Sequence, residues 1–119
     1  MTTQEIASRL VALCRQAKFE QAQTELFAQD AVSLEPRPEA GYDQETKGLD
    51  AIIAKGRKFN ASIEKVNRLE VSDPIVSKES FACTMRFDVV MKGQGPMDMR
   101  ELCVYRVKDG KVISEAFFM

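Results

Sequence analysis

The last forty residues constrain this chain more than any other stretch. From Ser80 to Met119, three long apolar-rich runs are separated only by turn signals. In the first, Phe81, Cys83, Met85, Phe87, Val89 and Met91 take alternate positions, with Ser80, Thr84, Arg86 and Asp88 among the residues between them. A period of two belongs to a strand with one buried face. Lys92-Gly93-Gln94-Gly95-Pro96 breaks the run, and a second extends from Met97 to Lys108. Asp109-Gly110 is a two-residue hairpin signal, after which Val112 to Met119 returns as the last strand. Strands joined this way form a curved antiparallel sheet whose apolar face the earlier residues must cover.

Thr2 and Glu5 have capping-box spacing, and Ile6, Leu10, Leu13, Cys14 and Ala17 recur along one helical face. Phe19, Ala22, Leu26 and Phe27 predict a second helix set at an angle to the first. Asp30 to Pro36 reads as a short strand, with the proline holding Glu35 extended at its end. Arg37 to Lys47 is polar, with Tyr42 its only large apolar group, and reads as a loop over an opening. Gly48 opens a third helix running to about Ser62, with Leu49, Ile52, Ile53 and Phe59 as its buried stripe. A charged strand from Ile63 to Ser72 ends at Asp73-Pro74. The expected fold is one α+β domain over residues 1–119, with three helices packed on a strongly curved sheet.

Charge and composition exclude several function classes. Net charge is -1, and Lys55, Arg57, Lys58, Lys65 and Arg68 are interspersed with apolar residues. They read as the solvated face of a helix and its following strand, not as a nucleic-acid-binding surface. The N-terminus has no basic region followed by a long apolar run, so neither secretion nor membrane insertion is expected. Cys14, Cys83 and Cys103 are odd in number and lack metal-ligand spacing. They read as reduced core side chains of a cytoplasmic protein. The sequence contains no histidine, which removes imidazole bases, Ser-His-Asp and Cys-His triads and His-ligated metals together. With no glycine-rich phosphate loop either, no cofactor and no metal are expected.

Glu25 to Val32, Lys47 to Ile52 and Tyr105 to Val112, in this order and spacing, resemble the nuclear transport factor 2-like superfamily and its SnoaL-like, polyketide cyclase-like branch. The resemblance implies a cone-shaped α+β barrel of the cystatin-like class, with a pocket inside the cone. It also implies homodimers through the outer sheet face. The superfamily includes cyclases, isomerases, dehydratases, hydrolases and members without assigned activity, so the fold does not fix a function. In comparison with ketosteroid isomerase, Glu35-Pro36 falls where that family has its Asp-Pro general base. Its oxyanion-hole tyrosine falls at Val11 and its protonated aspartate near Cys103, which argues against steroid isomerisation. The Asp-Arg-Asp arrangement of the epoxide hydrolases has no counterpart at comparable positions.

If the odd-numbered face of Phe81 to Met91 points inward, then Met97, Met99, Glu101, Cys103, Tyr105 and Val107 point inward from the next strand. Ile113, Glu115, Phe117 and Met119 share a face of the last strand, which the resemblance makes pocket-facing. Glu35, Glu101 and Glu115 then become candidate acid–base groups, since dehydrated carboxyls in close company resist double ionisation. Tyr42, Phe59, Met85, Phe87, Cys103, Phe117 and Met119 are the candidate substrate-binding residues. The competing arrangement pairs Glu101 and Glu115 with Arg86, Arg100 or Arg106 on the outer face. Two functions follow. One is a pocket for a small, partly apolar organic molecule with cofactor-independent carboxylate chemistry. The other is a non-catalytic dimeric binding or assembly module in which Leu102 and Val104 are interface residues.

Overall fold

The structure, a computed structural model, describes residues 1–37 and 43–119. Helix α1 spans Thr3–Arg15 and begins with the expected capping box. The Thr2 hydroxyl accepts from the Glu5 N–H at 3.1 Å, while the Glu5 carboxylate accepts from the Thr2 N–H at 2.9 Å. Two donors that a helix start leaves unpaired are thereby satisfied. Helix α2, Phe19–Leu26, stops one residue short of Phe27, which instead opens strand β1, Phe27–Leu34. Strand β2, Glu45–Lys47, lies inside the segment expected to be a loop and pairs with β1. Helix α3, Leu49–Ala61, precedes β3, Ile63–Val71, and the short β4, Ile75–Val76. The three long runs form β5, Ser80–Met91, β6, Gly95–Lys108, and β7, Lys111–Phe118.

The sheet order is β2-β1-β7-β6-β5-β3, with β4 paired to β5. It is mixed where an antiparallel sheet was expected, because β1 runs parallel to β7. The path stays open between β2 and β3 rather than closing. Inward alternation on β5 and β6 is as expected, with Phe81, Cys83, Phe87, Val89, Met91, Cys103, Tyr105 and Val107 all buried. Strand β7 differs by one residue. Val107 pairs with Val112 and Arg106 with Ser114, so Ile113 is an extra residue in the strand. This bulge lets Val112 and Glu115 both point inward, which uninterrupted alternation forbids.

Two apolar clusters fill the concave side. One joins Ile6, Leu10, Val11 and Cys14 of α1 to Phe81, Cys83, Cys103, Tyr105 and Val112 of the sheet. The other joins Phe87, Val89 and Met91 to Phe19 of α2 and Phe59 of α3. Between the two, in the register of β5 and β6, lies a single pair: Met85 opposite Glu101.

Candidate functional site

Polar side chains converge at this level from four elements. On β1, Ala31, Ser33 and Glu35 follow the period of two, so Ser33 is buried and Glu35 continues the inward face at the strand's end. The Glu35 N–H donates to the Gln44 carbonyl at 2.7 Å, which ties the end of β1 to the chain leading into β2. Ser33 and Glu115 are register partners in the parallel β1–β7 pair, and the Ser33 hydroxyl donates to Glu115 Oε1 at 2.8 Å. Lys55 enters from α3 and its ammonium donates to Ser33 Oγ at 2.8 Å and to Glu35 Oε1 at 3.0 Å. An ammonium has donors only, so the Ser33 proton must point away from it, toward Glu115.

The electrostatics follow from one cation among three carboxyls. Glu115 is 5% exposed, and burial pushes its carboxyl up to about 7. Ser33 and Lys55 pull it down, while Glu35 and Glu101 push it further up. Burial also pushes Glu101 up to about 7, with Glu35 adding to the rise and Lys55 opposing it. Two carboxyls therefore exchange protons near neutrality beside a third that is held by an ion pair. Such an arrangement can donate and accept protons without a cofactor. Among the described residues, no group of three or more His, Cys, Asp or Glu side chains could hold a metal ion.

All three carboxyls singled out from the sequence come together here. The competing outer-face pairing does not occur: Arg86 binds Asp98 through two bonds of 3.1 and 3.0 Å, and Arg100 lies 3.5 Å from the same carboxylate. Glu35 and Phe117 line an open depression of about 420 Å³ that also borders Leu34, Pro36 and Gln44. Met85, Glu101 and Met119 line a second of about 560 Å³, most of whose lining, including Glu70, Arg86, Arg100 and Leu102, belongs to the outer sheet face, and Phe118 borders both. Phe59 and Phe87 instead pack ring to ring at 6.4 Å in the second apolar cluster. Met119 is exposed, and Tyr42 lies outside the described residues. Cys103 is fully buried opposite Cys83, and its side-chain hydrogen bond with the free Cys83 and its burial push its thiol far up, away from the nucleophilic thiolate.

Lys55 and Ser33 are the residues of this cluster that the sequence reading missed. Lys55 reads in sequence as part of a solvated helix face, yet its side chain is only 16% exposed. It stands three residues after Ile52 and four before Phe59, so the apolar stripe itself carries it inward. Ser33 sits between two inward residues of β1, where a period of two would have placed it.

The SnoaL-like domain family matches residues 1–119, the whole chain. The chain belongs to that family. This SnoaL-like chain is 30% identical to a presumptive SnoaL-like polyketide cyclase from Mesorhizobium loti, with 100% of each chain covered and a TM-score of 0.92. A Xanthomonas campestris protein of unknown function with a cystatin-like fold shares 16% identity, with 99% and 90% of the two chains covered and a TM-score of 0.80. A presumptive isomerase from Bacillus subtilis shares 17%, with 98% and 88% of the two chains covered and a TM-score of 0.71. At such identities the last two likenesses establish the fold alone. No curated protein matches the chain.

Proposed function

We propose that this SnoaL-like protein holds a compact, partly apolar organic molecule at the mouth of its cone and moves a proton on it. The observation that carries this reading is the meeting of Glu35, Glu101 and Glu115 around Lys55, with Glu35 and Glu101 each reaching one of the two open depressions. Glu35 acts as the base, and Glu101 or Glu115 as the acid. The net reaction is a cofactor-independent isomerisation, cyclisation, dehydration or hydrolysis, and the likeness to a presumptive cyclase is in keeping with it. Free, buried cysteines favour a reducing compartment, which we take to be the cytoplasm. Among the described residues, no helix is long and apolar enough to cross a membrane.

The test works with an unidentified substrate. Compact, partly apolar molecules are screened for binding by ligand-observed NMR, and deuterium uptake from heavy water into each binder is followed by mass spectrometry. The expected result is protein-dependent exchange into at least one binder, slowed at least about a hundredfold by Glu35→Gln. Undiminished exchange in that variant would remove Glu35 as the base, and the absence of any binder would remove the pocket.

A second reading concerns assembly. Leu34, Leu102 and Phe118 are exposed on the outer sheet face, where Leu102 and Phe118 are register partners. This favours a homodimer through that face, which would cover the two depressions that Leu34, Leu102 and Phe118 border.

A further inference from the structure

Three thiols meet in the core. Cys14 of α1, Cys83 of β5 and Cys103 of β6 all belong to the first apolar cluster, and all three are free. Two of them are in direct contact. Cys83 and Cys103 are register partners on neighbouring antiparallel strands, 3% and 0% exposed, and their side chains are hydrogen-bonded to each other. Both occupy the inward face, so their sulfurs share one side of the sheet. The pair is also unequal. The bond from the Cys103 thiol favours the Cys83 thiolate, burial opposes it, and the Arg15 charge adds to the favourable side. The same bond and burial keep the proton on Cys103, and burial pushes the Cys14 thiol up to about 12.

We propose that Cys83 and Cys103 form a reversible cross-strand disulfide when hydrogen peroxide reaches the core. Cβ atoms directly opposite each other on antiparallel strands lie about 4.5–5.5 Å apart. A disulfide holds them about 3.5–4.5 Å apart. The bridge therefore needs no rearrangement of the fold, only a local approach of β5 and β6, and it keeps the strain of that approach. A strained bridge is more readily reduced than a structural one, so in a reducing compartment this one is transient. The chemistry balances in two steps. The Cys83 thiolate attacks a peroxide oxygen, the S–O bond forms as the O–O bond breaks, and the departing hydroxide takes up the proton lost by the thiol as water. The Cys103 sulfur then attacks the sulfenic acid, the S–S bond forms as the S–O bond breaks, and the Cys103 proton leaves with the hydroxyl as a second water. The two sulfurs lose two electrons, which reduce the peroxide. Burial restricts the oxidant to a molecule little larger than water.

Hydrogen peroxide added to the folded protein tests this, followed by tryptic digestion without reductant and mass spectrometry. Cleavage after lysine and arginine separates the three thiols into Leu10–Arg15, Glu79–Arg86 and Glu101–Arg106. The expected product joins Glu79–Arg86 to Glu101–Arg106 with the loss of two hydrogens, and exceeds any other linked pair at least about tenfold. Equilibration with reduced glutathione reopens it. Cys14→Ala forms the same bridge, whereas in Cys103→Ser oxidation stops at a Cys83 sulfenic acid, which dimedone traps. The wild-type and Cys14→Ala maps decide the matter even where Cys103→Ser does not fold. A bridge that includes Leu10–Arg15, links between separate chains, or a Cys83 that peroxide leaves as the thiol overturns the assignment. A bridge that glutathione leaves closed overturns its reversibility, and would make it a structural disulfide.

Discussion

Glu115 shows how far one residue's surroundings reach into stability. Its carboxyl is pushed from the ordinary 4.5 to about 7, chiefly by burial, so the folded protein prefers its protonated form. The resulting contribution to stability is fully present below about pH 4.5. It is lost as pH rises through 7, because the unfolded chain ionises freely while the folded one resists. A glutamine side chain would keep the oxygen that accepts from Ser33 but cannot ionise. Glu115→Gln should therefore match the wild type within about 0.5 kcal/mol at pH 4 and exceed it by about 2 kcal/mol at pH 8. Urea unfolding at the two pH values measures the difference, and a constant offset would contradict it. The inward position of Glu101 was legible because alternation on strands reports which way a side chain faces, whereas Glu35 and Glu115 were placed by the resemblance. Lys55 was not, because a lone charge on an apolar stripe looks like a surface residue until its partners on another element are known.

At the scale of elements, α3 matters because it delivers Lys55, and its start depends on Gly48. This residue has φ 93° and ψ 143°, a conformation open to glycine and strained for other residues. Its N–H donates to the Ala31 carbonyl at 2.7 Å, which fixes the helix start against β1. A Cβ there would lie 3.9 Å from the Gln29 carbonyl oxygen, an ordinary contact. Gly48→Ala should thus lose about 1–3 kcal/mol through backbone strain alone, with the fold retained, as read by denaturant titration with circular dichroism. A variant as stable as the wild type would show that the helix start tolerates another geometry. Gly48 was visible in the sequence as a helix opener, and β5, β6 and β7 by their period. Strand β2 was hidden because Glu45-Thr46-Lys47 has no apolar alternation, only backbone pairing with β1. Phe27 fitted the end of the second helix, but it belongs to the inward face of β1. The β7 bulge left no local mark, since its cause is the demand that Val112 and Glu115 both face inward.

At the scale of the molecule, the outer sheet face has a charge pattern suited to its own copy. Arg68, Asp88 and Asp98 form one row across β3, β5 and β6, and Glu70, Arg86 and Arg100 form the next. The rows carry net charges of -1 and +1, counting two acids against one base and the reverse. Like charges stand directly opposite in Asp88–Asp98 and Arg86–Arg100, and the diagonal Arg86–Asp98 bonds relieve them. A twofold axis between the rows would set each against the row of opposite sign in the second copy. Further along the same face, Leu102 and Phe118 are 43% and 52% exposed, and a partner there would remove both from water. Light scattering after size exclusion should give about twice the 13.4 kDa chain mass for the wild type. Leu102→Glu would bury an unpaired charge against the second copy, so it should shift the protein to the single-chain mass. Because Leu102 is exposed within one copy, the far-ultraviolet spectrum should remain unchanged. A wild type of single-chain mass at tens of micromolar, or a Leu102→Glu variant that still dimerises, would place the contact elsewhere. Circular dichroism of the same fractions separates loss of assembly from loss of fold.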